Sequence, residues 1–242
     1  MSAIPAGPPP PGVRASAAVA FCPAPPLLLP AVEVRADAAT TALREACAAA
    51  VADMLQIRPE VVVVVADGAF PGERFGAGDV GDLRGFGVDV TLPFDGRMVP
   101  GGRRVPPAHT LGAWLLDRAG FQGTRVGGGP ADLGRLVRDL PAPLGILAMG
   151  DGSARRSVKA PGYLDEAAAP FDAGVAQALS TGDAAALAGL DPDEGRRLLA
   201  AGVPVWRAVG CALAGRTVTT SRLHHDAAPF GVGYLAASWV VA

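Results

Sequence analysis

The amino-acid sequence predicts an α/β protein of three layers, α/β/α, around a mostly parallel or mixed central sheet. Three observations predict it. Val61–Val65 is a run of five β-branched residues, the pattern of a strand covered on both faces. Leu144–Met149 is a second short apolar run, and it stops at a Gly150-Asp-Gly-Ser153 turn, as a buried strand does on reaching a sheet edge. Around these runs strand and helix patterns alternate, giving six or seven strands interleaved with five or six helices.

Taken in order, residues 1–16 hold Pro8-Pro-Pro-Pro11 among alanine and glycine and bury too little apolar surface to offset the entropy of ordering. They are expected to be a flexible tail ahead of one domain, 17–242. Residues 17–21 read as a first strand, ended by Cys22-Pro-Ala-Pro-Pro26 because proline cannot join a central ladder. Asp37 or Thr40 caps a helix reaching Leu55, with Leu43, Ala46, Cys47, Ala50 and Val51 at helical spacing. After the valine strand comes a long glycine-rich loop, 66–87, then a strand over 87–92. Pro106 and Pro107 start a helix through Ala119 that buries Leu111, Trp114 and Leu115.

A short strand at 123–126 runs into Gly127-Gly-Gly-Pro130 and a helix over 131–140. That glycine run is neither a Gly-x-Gly-x-x-Gly fingerprint nor a P-loop, so it reads as turn chemistry. Past the Gly150 turn, 165–179 is helical and a short helix starts at Gly182-Asp183. Asp191-Pro192 then opens a helix carrying Leu198, Leu199, Val205, Trp206 and Val209, which Pro204 kinks or splits. Two terminal strands, 217–223 and 231–241, are joined through His224-His-Asp-Ala-Ala-Pro229.

A formal charge of −2 argues against a nucleic-acid partner, which needs clustered cations. Cys22, Cys47 and Cys211 are widely spaced, so neither a zinc knuckle nor a disulfide framework is expected, and a reduced, cytoplasmic setting is. The apolar run before Cys22 is too short for a lipoprotein leader, and no stretch reaches the ~18 apolar residues of a membrane span. The expected partner is a small molecule in the crevice beyond the carboxyl ends of the strands. Homo-oligomerisation is left open.

The polar groups expected to converge at strand ends are Cys22, Asp67, Asp151, Ser153, His224, His225 and Asp226. Each has an ordinary alternative: buried cysteine packs as a small hydrophobe, and Asp151 and Ser153 are common turn formers. On a regular strand His224 and His225 would point to opposite faces. A metal site needs three or four oriented ligands, and the chain has three histidines, His109 included. Ser153 lacks the Gly-x-Ser-x-Gly elbow.

Four segments together resemble the LigB superfamily, the class III extradiol dioxygenase-like and Memo-like proteins, in particular their actinobacterial branch. They are Cys22-Pro-Ala-Pro-Pro-Leu-Leu-Leu-Pro30, the stretch from Val61 to Asp67, Met149-Gly-Asp-Gly-Ser153 and Phe230-Gly-Val-Gly-Tyr234. The resemblance implies an oxidoreductase of catechol-type aromatic substrates, using non-haem Fe(II) held by two histidines and a carboxylate, with a further acid–base histidine. Here Cys22 stands near the first-strand histidine, Asp67 follows the second strand, and Ala154 replaces the histidine of the Asp-x-Ser-His motif. Three readings follow. One is a dioxygenase-like protein with Cys22, Asp67 and His225 as metal ligands; another is a non-catalytic binding or regulatory domain that keeps the pocket. The third is a hydrolase or transferase using Asp151, Ser153 or Cys22.

Overall fold

A computed structural model describes residues 16–33 and 37–242, so residues 1–15 of the expected tail lie outside the described residues. The chain runs β1 (Ala17–Cys22), α1 (Ala38–Leu55) and β2 (Val61–Val65), then β3 (Arg74–Phe75), β4 (Ala77–Gly78), β5 (Val80–Asp82), β6 (Thr91–Pro93), β7 (Asp95–Met98) and β8 (Arg104–Val105). It continues through α2 (Pro107–Arg118), β9 (Thr124–Gly128), α3 (Leu133–Asp139), β10 (Leu144–Met149) and α4 (Ala168–Thr181). It closes with α5 (Ala184–Ala188), α6 (Pro192–Arg197), α7 (Val203–Ala212), β11 (Val218–Ala227) and β12 (Tyr234–Val241). Asp37, not Thr40, caps α1, its carboxylate accepting from the amides of Ala39 and Thr40.

The main sheet has seven strands in the order β11-β12-β1-β10-β2-β9-β3. Its centre, β1, β10, β2 and β9, is parallel, and antiparallel neighbours flank it. Because side chains alternate along a strand, the valine run feeds both layers. Val62 and Val64 pack under α1 and α2 with Cys47 and Leu111. Val63 and Val65 pack against α3, α4 and α7 with Leu133, Val175 and Trp206. The fold is therefore α/β with a mixed sheet, and β12 is an interior strand. Its Trp239 lies edge-on to Phe21 at 4.8 Å between ring centres and donates its indole N–H to the Leu179 carbonyl at 2.7 Å.

The chain passes from β1 to β2 over the α1 face, leaving a gap that β10 later fills after α3 has packed on the opposite face. The connections leaving β1 and β2 thus lead to one face, and the one leaving β10 leads to the other. Such a reversal opens a crevice beyond the carboxyl ends of the strands.

Several elements differ from the sequence expectation. No strand spans 87–92: Gly87, at φ 77°, ends a 3-10 turn over Arg84–Phe86, and the strand is Thr91–Pro93 in a small sheet ordered β6-β5-β8. The loop 66–87 itself contains β3, β4 and β5, held by the ion pairs Asp82 with Arg84 and Arg104 and Asp79 with Arg103. The helix expected from 165 starts at Ala168, after a turn in which the Ala168 amide donates to the Asp165 carbonyl. The helix opened at Asp191-Pro192 is split, as one of the two expected outcomes had it, into α6 and α7; the break falls at 198–202, where Leu199 takes a left-handed φ of 54°, and Pro204 sits in the first turn of α7.

His224 and His225 are not in a connection but inside β11. A register shift between Leu223 and His225 sets Leu223 opposite Ala237 and His225 opposite Ala236. Ala237 faces the α4 layer and Ala236 the α1 layer, so the bulge places both histidines on the α1 face instead of on opposite faces. Among the described residues, no helix is long and apolar enough to cross a membrane.

Candidate functional site

The crevice is built from strand ends. The Gly150 amide donates to the Cys22 carbonyl at 3.0 Å, continuing the β1–β10 ladder by one residue, and the Gly202 amide donates to the Asp151 carbonyl at 2.7 Å. This seats the start of α7 directly on the end of β10. A Cβ on Gly150 would lie 2.5 Å from the Gly202 Cα, so this position requires glycine. Beside the junction opens a cavity of about 820 Å³, with Asp67 from the end of β2 on one side. The rest of the lining comes from α6, α7 and the turn between them, and includes Arg196, Leu199, Ala201, Val203 and Arg207.

Asp151 stands where the direction of the connections reverses. One carboxylate oxygen accepts the Ala24 amide at 2.7 Å, and burial of the carboxyl pushes its pKa up to about 6. Burial, with a smaller contribution from the Asp151 charge, pushes the Tyr234 phenol up to about 12. Asp151 can therefore hold or release a proton near neutrality while Tyr234 stays protonated.

Ser153 is fully buried. Its hydroxyl donates to the Leu198 carbonyl at 2.7 Å and accepts the Arg155 amide at 3.1 Å, and its own amide donates to Asp172 at 2.9 Å. Asp172, on α4, also binds the Arg156 guanidinium at 2.7 Å; burial, which disfavours its charge, raises its pKa despite that partner. A Cβ on Gly233 would fall 2.1 Å from an Asp172 oxygen, and one on Gly152 2.8 Å from it. The Ser153 hydroxyl proton goes to the Leu198 carbonyl, not to a base, and the Asp172 carboxylate takes the Ser153 amide instead. Ser153 and Asp172 thus pin the loop that follows Asp151.

The Cys22 thiol points under α1, 3.9 Å from the Cys47 carbonyl, and its hydrogen bond with Cys47, followed by burial, raises its pKa well above the ordinary value. Asp67 is exposed and accepts the Gly68 amide at 2.9 Å. His225 is half-buried; burial lowers its pKa, and its Nε2 is buried without a hydrogen-bond partner. β11 and β2 are four interstrand steps apart, about 19 Å at the usual spacing, whereas ligands of one ion lie within a few ångströms of each other. Cys22, Asp67 and His225 are not brought into one donor set, and among the described residues no three His, Cys, Asp or Glu side chains form a group that could hold a metal. The residues present do not fit the iron that the resemblance implies.

Two residues of the crevice carry no motif in the sequence. Arg207 is hidden because its wall is assembled from two helices. Asp172 has a signal: it is an acid on the same helical face as Val175, Ala176 and Leu179, all buried. His109, which is not part of the cavity lining, is fully buried on α2. Its Nε2 donates to the Gly128 carbonyl at 3.1 Å, its Nδ1 has no partner, and burial pushes its pKa down to about 4.

Comparison with protein-family models gives no match, and comparison with curated proteins gives none.

Proposed function

We propose that this chain is a LigB-like small-molecule-binding domain that keeps a crevice at the strand ends without the family's iron centre. The observation that carries it is the cavity of about 820 Å³ beside the β10–α7 junction, within the range of small-molecule sites. The separation of Cys22, Asp67 and His225 supports the non-catalytic reading over dioxygenase chemistry. The test is a thermal-shift screen of small organic molecules alongside anaerobic reconstitution with Fe(II) and a catechol assay. Ligand-dependent stabilisation without ring opening is expected. Stoichiometric iron with ring cleavage would overturn the reading.

Asp151 favours a second reading, a hydrolase or transferase that uses it as an acid–base group, because its pKa of about 6 suits proton transfer near neutrality. Asp151→Asn should then abolish turnover of any substrate found while leaving its binding intact. Turnover that survives the change would remove Asp151 from that role.

A further inference from the structure

We propose that the cavity takes an aliphatic monocarboxylate, an inference that rests on the binding function above. Two cations line it. Arg196 is exposed and already paired with Asp193. Arg207 lies in the wall, partly buried, with no carboxylate partner among the described residues. Its guanidinium donates to the Leu190 carbonyl through one of its five N–H donors. A guanidinium with donors left over, set in an apolar wall, is suited to an anion with two acceptor oxygens.

The rest of the lining sets the body of the ligand. Leu199, Ala200, Ala201, Val203 and Pro204 are short aliphatic or cyclic side chains, and among the described residues no aromatic ring lines the cavity to stack on a planar ligand. Asp67 also lines the cavity, and its carboxylate opposes a second negative charge, so a monoanion fits better than a dianion. Leu199 holds a left-handed φ of 54° and remains 46% exposed at the cavity wall, an apolar group kept at a strained position without full burial.

The test is calorimetric titration of the full-length protein with hexanoate, 1-hexanol and benzoate, repeated on Arg207→Gln and Arg207→Lys. Hexanoate should bind about 10-fold or more tightly than hexanol, as a charge-assisted pair requires. Benzoate should bind more weakly than hexanoate. Arg207→Gln should bring hexanoate down to the hexanol level, Arg207→Lys should fall between, and both variants should give the wild-type circular dichroism spectrum, with the urea midpoint lowered slightly by loss of the Leu190 contact. Hexanol binding as tightly as hexanoate, unchanged affinity in a folded Arg207→Gln, or benzoate binding best would overturn the ligand class while leaving the cavity as a binding site. Failure of all three probes to bind would overturn the cavity reading and this inference with it.

Discussion

The Gly202 amide donates to the Asp151 carbonyl at 2.7 Å, which ties the end of the central strand to the first turn of α7 and so sets the cavity wall. The approach depends on Gly150, whose added Cβ would stand 2.5 Å from backbone, where no side-chain rotation gives relief. Gly150→Ala should cost about 1–3 kcal/mol by overpacking and weaken ligand binding by displacing α7. Urea denaturation and titration with hexanoate measure the two effects. An unchanged midpoint would show that the junction is looser than these distances require.

Asp172 is buried completely, and its two oxygens serve different parts of one loop, the Ser153 amide and the Arg156 guanidinium. Removing the carboxylate leaves the buried Ser153 amide without its acceptor and the partly exposed Arg156 without its partner. Asp172→Ala should therefore cost about 1–3 kcal/mol. Asp172→Asn, which still accepts from Ser153, should cost less. Equal losses in denaturant titrations would mean that packing against Gly152 and Gly233, not the hydrogen bonds, is what Asp172 contributes.

The layered core was legible because its signals are local: five β-branched residues in Val61–Val65 need two covered faces, and Leu144–Met149 ends at a turn that polar groups occupy. The excursion from β3 to β8 was not. Its strands are two to four residues long, too short for periodicity, and its charges pair across distance, Asp79 with Arg103 and Asp82 with Arg104. At the crevice, the Gly150 turn announced Asp151 as a strand-end carboxylate. The partner of the Ser153 hydroxyl lies at Leu198, 45 residues on, and Arg207 reaches the cavity only through the fold of α6 onto α7. The bulge in β11, which turns both His224 and His225 to one face, leaves no mark in an alternating pattern.

Leu199 separates stability from binding. A left-handed conformation costs an L-residue about 1–2 kcal/mol, and asparagine tolerates it better than leucine. Leu199→Asn should leave stability unchanged or raise it by up to about 1 kcal/mol. It should also weaken hexanoate by about 5-fold as part of the apolar wall is lost. Differential scanning calorimetry beside titration reads both. A destabilisation above about 1 kcal/mol would show that Leu199 is kept for packing on Gly162 instead.

Asp151 and His109 should oppose each other in the acid dependence of stability. His109 is pushed from 6.5 down to about 4, so in acid the unfolded chain takes up its proton first, and stability is lost as pH falls from about 6.5 to about 4. Asp151 is pushed from 3.8 up to about 6, so the folded chain takes up that proton first, and stability is regained as pH falls from about 6 to about 4. Each shift corresponds to at most about 3 kcal/mol, so the two should nearly cancel. Asp151→Asn should remove the gain and make stability fall by about 3 kcal/mol between pH 7 and 4 relative to the wild-type curve. His109→Gln, which keeps a donor for the Gly128 carbonyl, should make it rise over the same interval. The ion-paired Asp82, held down to about 2, adds its loss mainly below this window, and differences between variants cancel the carboxylates they share. Urea titrations at half-unit steps of pH give the three curves. Parallel curves would mean that neither group carries the shift its burial implies.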